Sequence, residues 1–149
     1  MVLEAADLQG LLLIRDSLAM DGAFLLLHVV KLAVQQGCDV VLVYTKSLQG
    51  HYAHALRKAG LNHTSLMAAG RLRVVDALAH LAPGSDGPVM DLRSLQLEVL
   101  AAARAGGAAS AAQSPQVLVA VDDLPVSLAG TASHASCSAR LLLAGTCGS

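Results

Sequence analysis

Two acids in succession, Asp122 and Asp123, close the apolar run VLVAV, and an Asp-Gly pair, Asp21 and Gly22, opens a second apolar run that starts Ala23-Phe24. An acid at a strand end can hold a magnesium-bound water, and a glycine-led turn into a helix can wrap backbone N–H groups around phosphate. Together they would make a nucleotide site, yet the groups that do the chemistry are missing. Counting back from Gly22, the leading glycine position of a phosphate loop is Ser17, the lysine position is Ala23 and the hydroxyl position is Phe24. Without the lysine nothing neutralises the outer phosphates, and Phe24 is expected to fill the metal's place with core. The expectation is a degenerate pocket shaped by Asp21, Gly22, Asp122 and Asp123, with no catalytic residue and no cofactor. The plainer alternative has Asp21 and Gly22 opening a helix and the acid pair solvated in a loop.

Other chemistry is sparse. His51 and His54 are three apart, and His134-x-x-Cys137 precedes Cys147, but none of these forms a CxxC pair or an HExxH helix, so no metal site is expected. No GxSxG elbow is present, and Ser47, Ser127 and Ser133 read as caps and loop residues. Lys46, His51, His54, Arg57 and Lys58 lie on or near one helix, with Arg71 and Arg73 shortly after it. They form either a small positive surface able to touch the phosphates of transfer RNA or an ordinary solvated face. Aromatics are 2% of the chain, so base stacking is confined to Tyr44 and Tyr52.

The elements that must position these residues follow from periodicity. GLLLIR (10–15) reads as a short strand and residues 22–36 as a helix stopped by Gly37, its polar residues His28, Lys31 and Gln35 forming one narrow stripe. DVVLVYT (39–45) is a run of the kind buried on both sheet faces. A helix over 47–59 turns Leu48, Tyr52, Ala55 and Leu56 inward and His51, His54 and Lys58 toward water. RLRVVDAL (71–78) reads as a strand with one side exposed at its start, PGSDGP (83–88) as a turn, and residues 91–105 as a helix capped by Asp91. Residues 105–115 are a low-complexity loop, 117–123 a further buried strand, and 133–143 a short helix, with no clear strand after the acid pair. Alternating strands and helices predict a doubly wound α/β fold, a mostly parallel sheet with helices on both faces. Residues 11–45 are expected to supply two neighbouring parallel strands bridged by a helix.

At 149 residues one domain, 1–149, is expected. Ten Lys and Arg against eleven Asp and Glu leave a net charge of −1, which excludes binding to nucleic acid or membrane by bulk charge. Cys38, Cys137 and Cys147 form no disulfide framework, which predicts a reducing, intracellular location. The longest oily run, 22–34, is broken by His28 and Lys31 and falls short of the ~20 residues a membrane span needs.

Residues 21–62 resemble the Elongator sixth-subunit family, which is RecA-like and lacks working nucleotide motifs. The shared features are an Asp-Gly-small-Phe helix start, a Gly-Cys turn, a V-x-x-V strand and the Ser47-x-x-x-His51-Tyr52 opening of the next helix. GRLRVVDALAHLA (70–82) and VLVAVDDLPVSLAG (117–130) match the same family in order, so the likeness covers most of 10–130. It implies a RecA-like fold that continues past the end of this chain, with the part from 131 to 149 departing from the pattern. It also implies a non-catalytic subunit of a heterohexameric ring with Elongator subunits four and five. That ring joins the catalytic core and contacts transfer RNA during carboxymethyl-type modification of the wobble uridine. The expected location is cytoplasmic, extending to the nucleus. Two other classes fit the residues: a weak P-loop-type nucleotide-binding enzyme using Asp122 for magnesium, and a recombinase-like DNA-repair accessory subunit.

Overall fold

The computed structural model describes residues 10–15, 22–45, 49–84, 87–105, 116–124 and 139–146. Its elements in chain order are β1 (Gly10–Arg15), α1 (Ala23–Gln35), β2 (Asp39–Tyr44), α2 (Gln49–Lys58), α3 (His63–Ala68) and β3 (Leu72–Asp76). A 3-10 turn (Ala77–His80) then leads to the hairpin β4 (Leu81–Gly84) and β5 (Gly87–Met90), followed by α4 (Leu92–Arg104), β6 (Gln116–Leu124) and β7 (Ala139–Thr146). The main sheet runs β1-β7-β6-β2-β3, and the hairpin forms a sheet of its own.

Strand β2 lies parallel to both β3 and β6 and is buried at every position, as its unbroken Val/Leu run requires. Its alternate residues feed two cores. Val40, Leu42 and Tyr44 join Leu26, Val29, Val30 and Ala33 of α1, and Tyr52 and Leu56 of α2, on one face. Val41 and Val43 join Val75, Val117 and the inner side of α4, with Leu95, Val99 and Ala103, on the other. The chain is therefore an α/β protein with helices on both faces of the sheet. Among the described residues no helix is long and apolar enough to cross a membrane.

Helix α1 carries its wet stripe as periodicity predicts, with His28 and Gln35 exposed and Lys31 at the margin. It ends at Gly37, whose φ of 86° lets the N–H groups of Gly37 and Cys38 turn back to the carbonyls of Val34 and Ala33. Asp91 caps α4 through its side chain, which accepts from the N–H groups of Arg93 and Ser94. In the 83–88 turn, Pro83 pairs with Pro88 and Gly84 with Gly87, so the strand ladder runs into the turn itself.

Three expectations are corrected. The sheet is mixed: β6, β2 and β3 are parallel, whereas β7 is antiparallel to both of its neighbours, β1 and β6. Strands β1 and β2 point the same way but are not neighbours, because β7 and β6 stand between them and α1 crosses over β6 and β2 to make the connection. Proximity in sequence suggested adjacency; a central strand buried on both faces needs two long ladders, and it takes β6 and β3. Third, residues 139–143 are strand rather than helix. A three-leucine run is too short for periodicity to separate the two, and hydrogen bonding to β1 on one side and β6 on the other decides it. Residues 133–138 and 106–115 lie outside the described residues. Helix α3 and the hairpin strands were not foreseen.

Candidate functional site

In an open α/β sheet, ligands gather at the carboxyl ends of the parallel strands. Here those ends are Tyr44–Thr45 of β2, Asp76 of β3 and Asp122 of β6. Register aligns them, since Tyr44 pairs with Asp76 on one side and Asp122 on the other. All three sit on the face covered by α1, whose N-terminal end begins at Gly22 after the crossover. The crevice thus joins a helix start to two acids.

Asp122 is 4% exposed, so it is not the solvated loop acid of the plainer expectation. Between Val121 and Leu124 the pairing with β7 skips: β6 advances three residues, from Val121 to Leu124, while β7 advances two, from Leu141 to Ala139. This one-residue bulge at Asp122–Asp123 breaks the ladder beside the crevice. The hydroxyl of Thr45 donates to the Asp122 carbonyl at 2.7 Å, tying β2 to the bulge. Burial, then the hydrogen bond to Asp76 and the charge of that carboxylate, push the Tyr44 phenol above its ordinary pKa. The Asp76 side chain also accepts from Leu78 N–H at 2.9 Å and so opens the 3-10 turn.

At the helix start the chemistry is as sparse as the sequence implies. Gly22 is the N-cap and supplies no side-chain cap, and its carbonyl accepts from Leu25 and Leu26. Phe24 does not fill a metal's place with core; it is 64% exposed and extends the polar stripe of α1. Its spacing of four from His28 puts it on the outer side of the helix, which the motif count alone does not reveal. The described crevice therefore presents two carboxylates, a phenol and a hydroxyl, and no cationic side chain. Asp21 and Lys46 lie outside the described residues, and the side chain of Asp123 is not described. Tyr44, Thr45 and Asp76 escaped the sequence reading; their signal, the terminal position in three strands, becomes legible only with the register.

The basic residues part company. His54 and Arg57 meet on α2, with Arg57 Nη2 donating to His54 Nδ1 at 3.0 Å, and Lys58 is exposed nearby. His51 packs edge-on against Tyr52, ring centroids 5.7 Å apart. Arg71 instead turns inward and donates to the carbonyls of Val34 (2.8 Å) and Cys38 (3.3 Å), closing the end of α1. Arg73 donates to the Gly70 carbonyl and lies 3.6 Å from Asp39. Both arginines hold the fold together rather than face a partner's phosphates. Cys38 packs at the entrance to β2, its thiol pushed above the ordinary value by burial against a smaller opposing pull from Arg71.

One arrangement resembles a hydrolase triad: His80 Nδ1 is 3.0 Å from Ser94 Oγ and its Nε2 is 2.6 Å from Glu98. An acyl-transfer site also needs free N–H donors for an oxyanion. The N–H groups of Arg93 and Ser94 are both taken by Asp91, whose carboxylate would repel such a charge. These contacts dock the 3-10 turn onto α4.

The fold and crevice define the class: an α/β protein with an acidic, lysine-free crevice at its parallel strand ends. No protein family, curated protein or solved structure matches the chain.

Proposed function

We propose that this chain is a non-catalytic interaction protein, a RecA-like scaffold subunit of the Elongator accessory heterohexameric ring. It assembles with subunits four and five, joins the catalytic core, and supports transfer RNA binding for wobble-uridine modification. The resemblance over most of 10–130 supplies the particulars. One observation carries the non-catalytic part: where a phosphate loop needs lysine and a hydroxyl, the start of α1 has Ala23 and an exposed Phe24, facing Asp76 and Asp122. Phosphate oxygens brought to that crevice meet carboxylates with no protein cation to offset them. The separation of β1 from β2 means that the reading takes no support from strand adjacency.

A scaffold role also suits the surface of β1. It lies at the sheet edge, and Leu11 and Leu13 are 65% and 52% exposed. A flat apolar edge strand with no guarding charge among these positions is a template for docking another chain.

Two measurements test the proposal. Equilibrium dialysis of the purified chain with labelled ATP and magnesium is expected to show no saturable binding in wild type or Asp122→Ala. Saturable binding lost in Asp122→Ala would instead favour the nucleotide-binding enzyme, a reading that draws on the burial of Asp122. Affinity purification from cell extract is expected to bring down two related RecA-like partners at equal stoichiometry. Recovery of a DNA recombinase alone, or of no RecA-like partner, would overturn the ring.

A further inference from the structure

A cavity of about 640 Å³ opens between α2 and α3, away from the crevice and independent of the ring reading. Gly50, His54 and Arg57 line it from α2, spaced four and three apart on one helical face; Asn62, His63 and Thr64 line it from the start of α3. Its walls are held by two local devices. Gly60, with a φ of 85°, lets Leu61 N–H return to the Leu56 carbonyl, and Asn62 accepts from Ser65 N–H at 3.1 Å. The site is thus set by caps rather than by a loose loop.

The lining is rich in donors and contains no carboxylate. A guanidinium has only donors, so the bond from Arg57 makes His54 Nδ1 an acceptor and puts the proton of neutral His54 on Nε2. Arg57 keeps its other N–H groups, and no described carboxylate pairs with it. Nε2 of His63 is sealed from solvent with no hydrogen-bond partner among the described residues. Buried polar atoms in folded proteins are nearly always satisfied, so an orphan in a cavity wall points to a ligand. Arg57 and Lys58 in the last turn of α2 also offset its helix dipole, but that role does nothing for the sealed nitrogen of His63. The nearby carbonyls of Ala55, Leu56 and Arg57 already accept from Ala59, Leu61 and Gly60, which blunts their repulsion of an anion.

We propose that this cavity binds a phosphate group, gripped by Arg57 and by the Nε2 nitrogens of His54 and His63. An oxyanion with several acceptor oxygens and no donor matches this lining, and a guanidinium favours phosphate geometry. The group could belong to a small phosphate compound or to a nucleic-acid backbone, which present the same oxygens.

The test uses the full chain with ¹⁵N-labelled histidine. Inorganic phosphate is titrated at constant ionic strength while imidazole nitrogens are followed by NMR. Saturable shifts are expected at His54 and His63 but not at His28 on α1. Arg57→Gln is expected to weaken the apparent affinity by roughly tenfold or more, the size of one charge-assisted hydrogen bond. His63→Gln is expected to abolish the shift at His54 without altering the amide spectrum of α1. A short single-stranded RNA lacking terminal phosphates forms the second arm. Displacement of phosphate from these imidazoles assigns the site to a phosphodiester backbone; undisturbed phosphate binding assigns it to a small phosphate compound. If neither probe moves His54 and His63, or if Arg57→Gln leaves the affinity unchanged, the proposal is wrong.

Discussion

Arg71 separates a structural from a functional use of the basic residues, and Arg71→Met puts that to measurement. Methionine keeps much of the apolar stem and removes the guanidinium. The 2.8 Å bond to the Val34 carbonyl is charge-assisted and contributes about 1.5–3 kcal/mol. The longer contact to the Cys38 carbonyl adds a fraction, and a cation at the C-terminal end of α1 adds about 0.3–1 kcal/mol through the helix dipole. Two features reduce the sum. Arg71 is half-buried, so water can reach the abandoned carbonyls, and Val34 still accepts from Gly37 N–H at 3.2 Å. A net loss of about 2 kcal/mol results. With a slope of about 1–3 kcal/mol per molar urea, the unfolding midpoint should fall by about 1 M at unchanged slope. Arg71→Lys should recover roughly half, since an ammonium keeps the charge but lacks the planar fork. A midpoint for Arg71→Met within about 0.2 M of wild type would refute the reasoning and return Arg71 to the exposed basic surface.

Leu56 is 0% exposed beneath the sheet, so Leu56→Ala should cost about 2–5 kcal/mol, whereas Leu97→Ala, at a site 62% exposed on α4, should stay within about 0.5 kcal/mol in the same urea assay. Asp91→Ala removes a side chain accepting from two N–H groups and should cost about 1 kcal/mol, with early amide exchange in the first turn of α4. Tyr44 and Cys38 both have raised pKa values, so the folded chain keeps protons that the unfolded chain has released. Their contribution is complete below the ordinary thiol and phenol values and is lost as pH rises from about 8.5 through and beyond 10. Urea midpoints across that range should decline, and Tyr44→Phe should flatten the phenol part; a profile identical to wild type would exclude it.

Local pattern reached far into this molecule. The Val/Leu run of β2 announced burial on both faces, the spacing of His28, Lys31 and Gln35 announced the single wet stripe of α1, and Asp91 announced a helix start. Each is a property of neighbours within a few residues, where propensity and periodicity act directly. The motif count at Gly22–Phe24 likewise showed which phosphate-binding groups are missing. What it could not show is where Phe24 points, because that depends on the rotation of α1 against β6 and β2.

Partner choice was not written locally. The leucines of β1 and β7 state that they want cover without stating which strand supplies it, so the insertion of β7 and β6 between β1 and β2 emerged only when every ladder was satisfied together. The same long-range settlement produced the bulge at Asp122–Asp123, aligned Asp76, Tyr44 and Asp122, and turned Arg71 and Arg73 inward while leaving Arg57 and His63 around a cavity. Sequence by itself determined which segments are strand-like or helical and which groups are missing from the helix start. Tertiary structure decided adjacency, register and which charges face a void, because these depend on hydrogen bonds and burial between residues tens of positions apart.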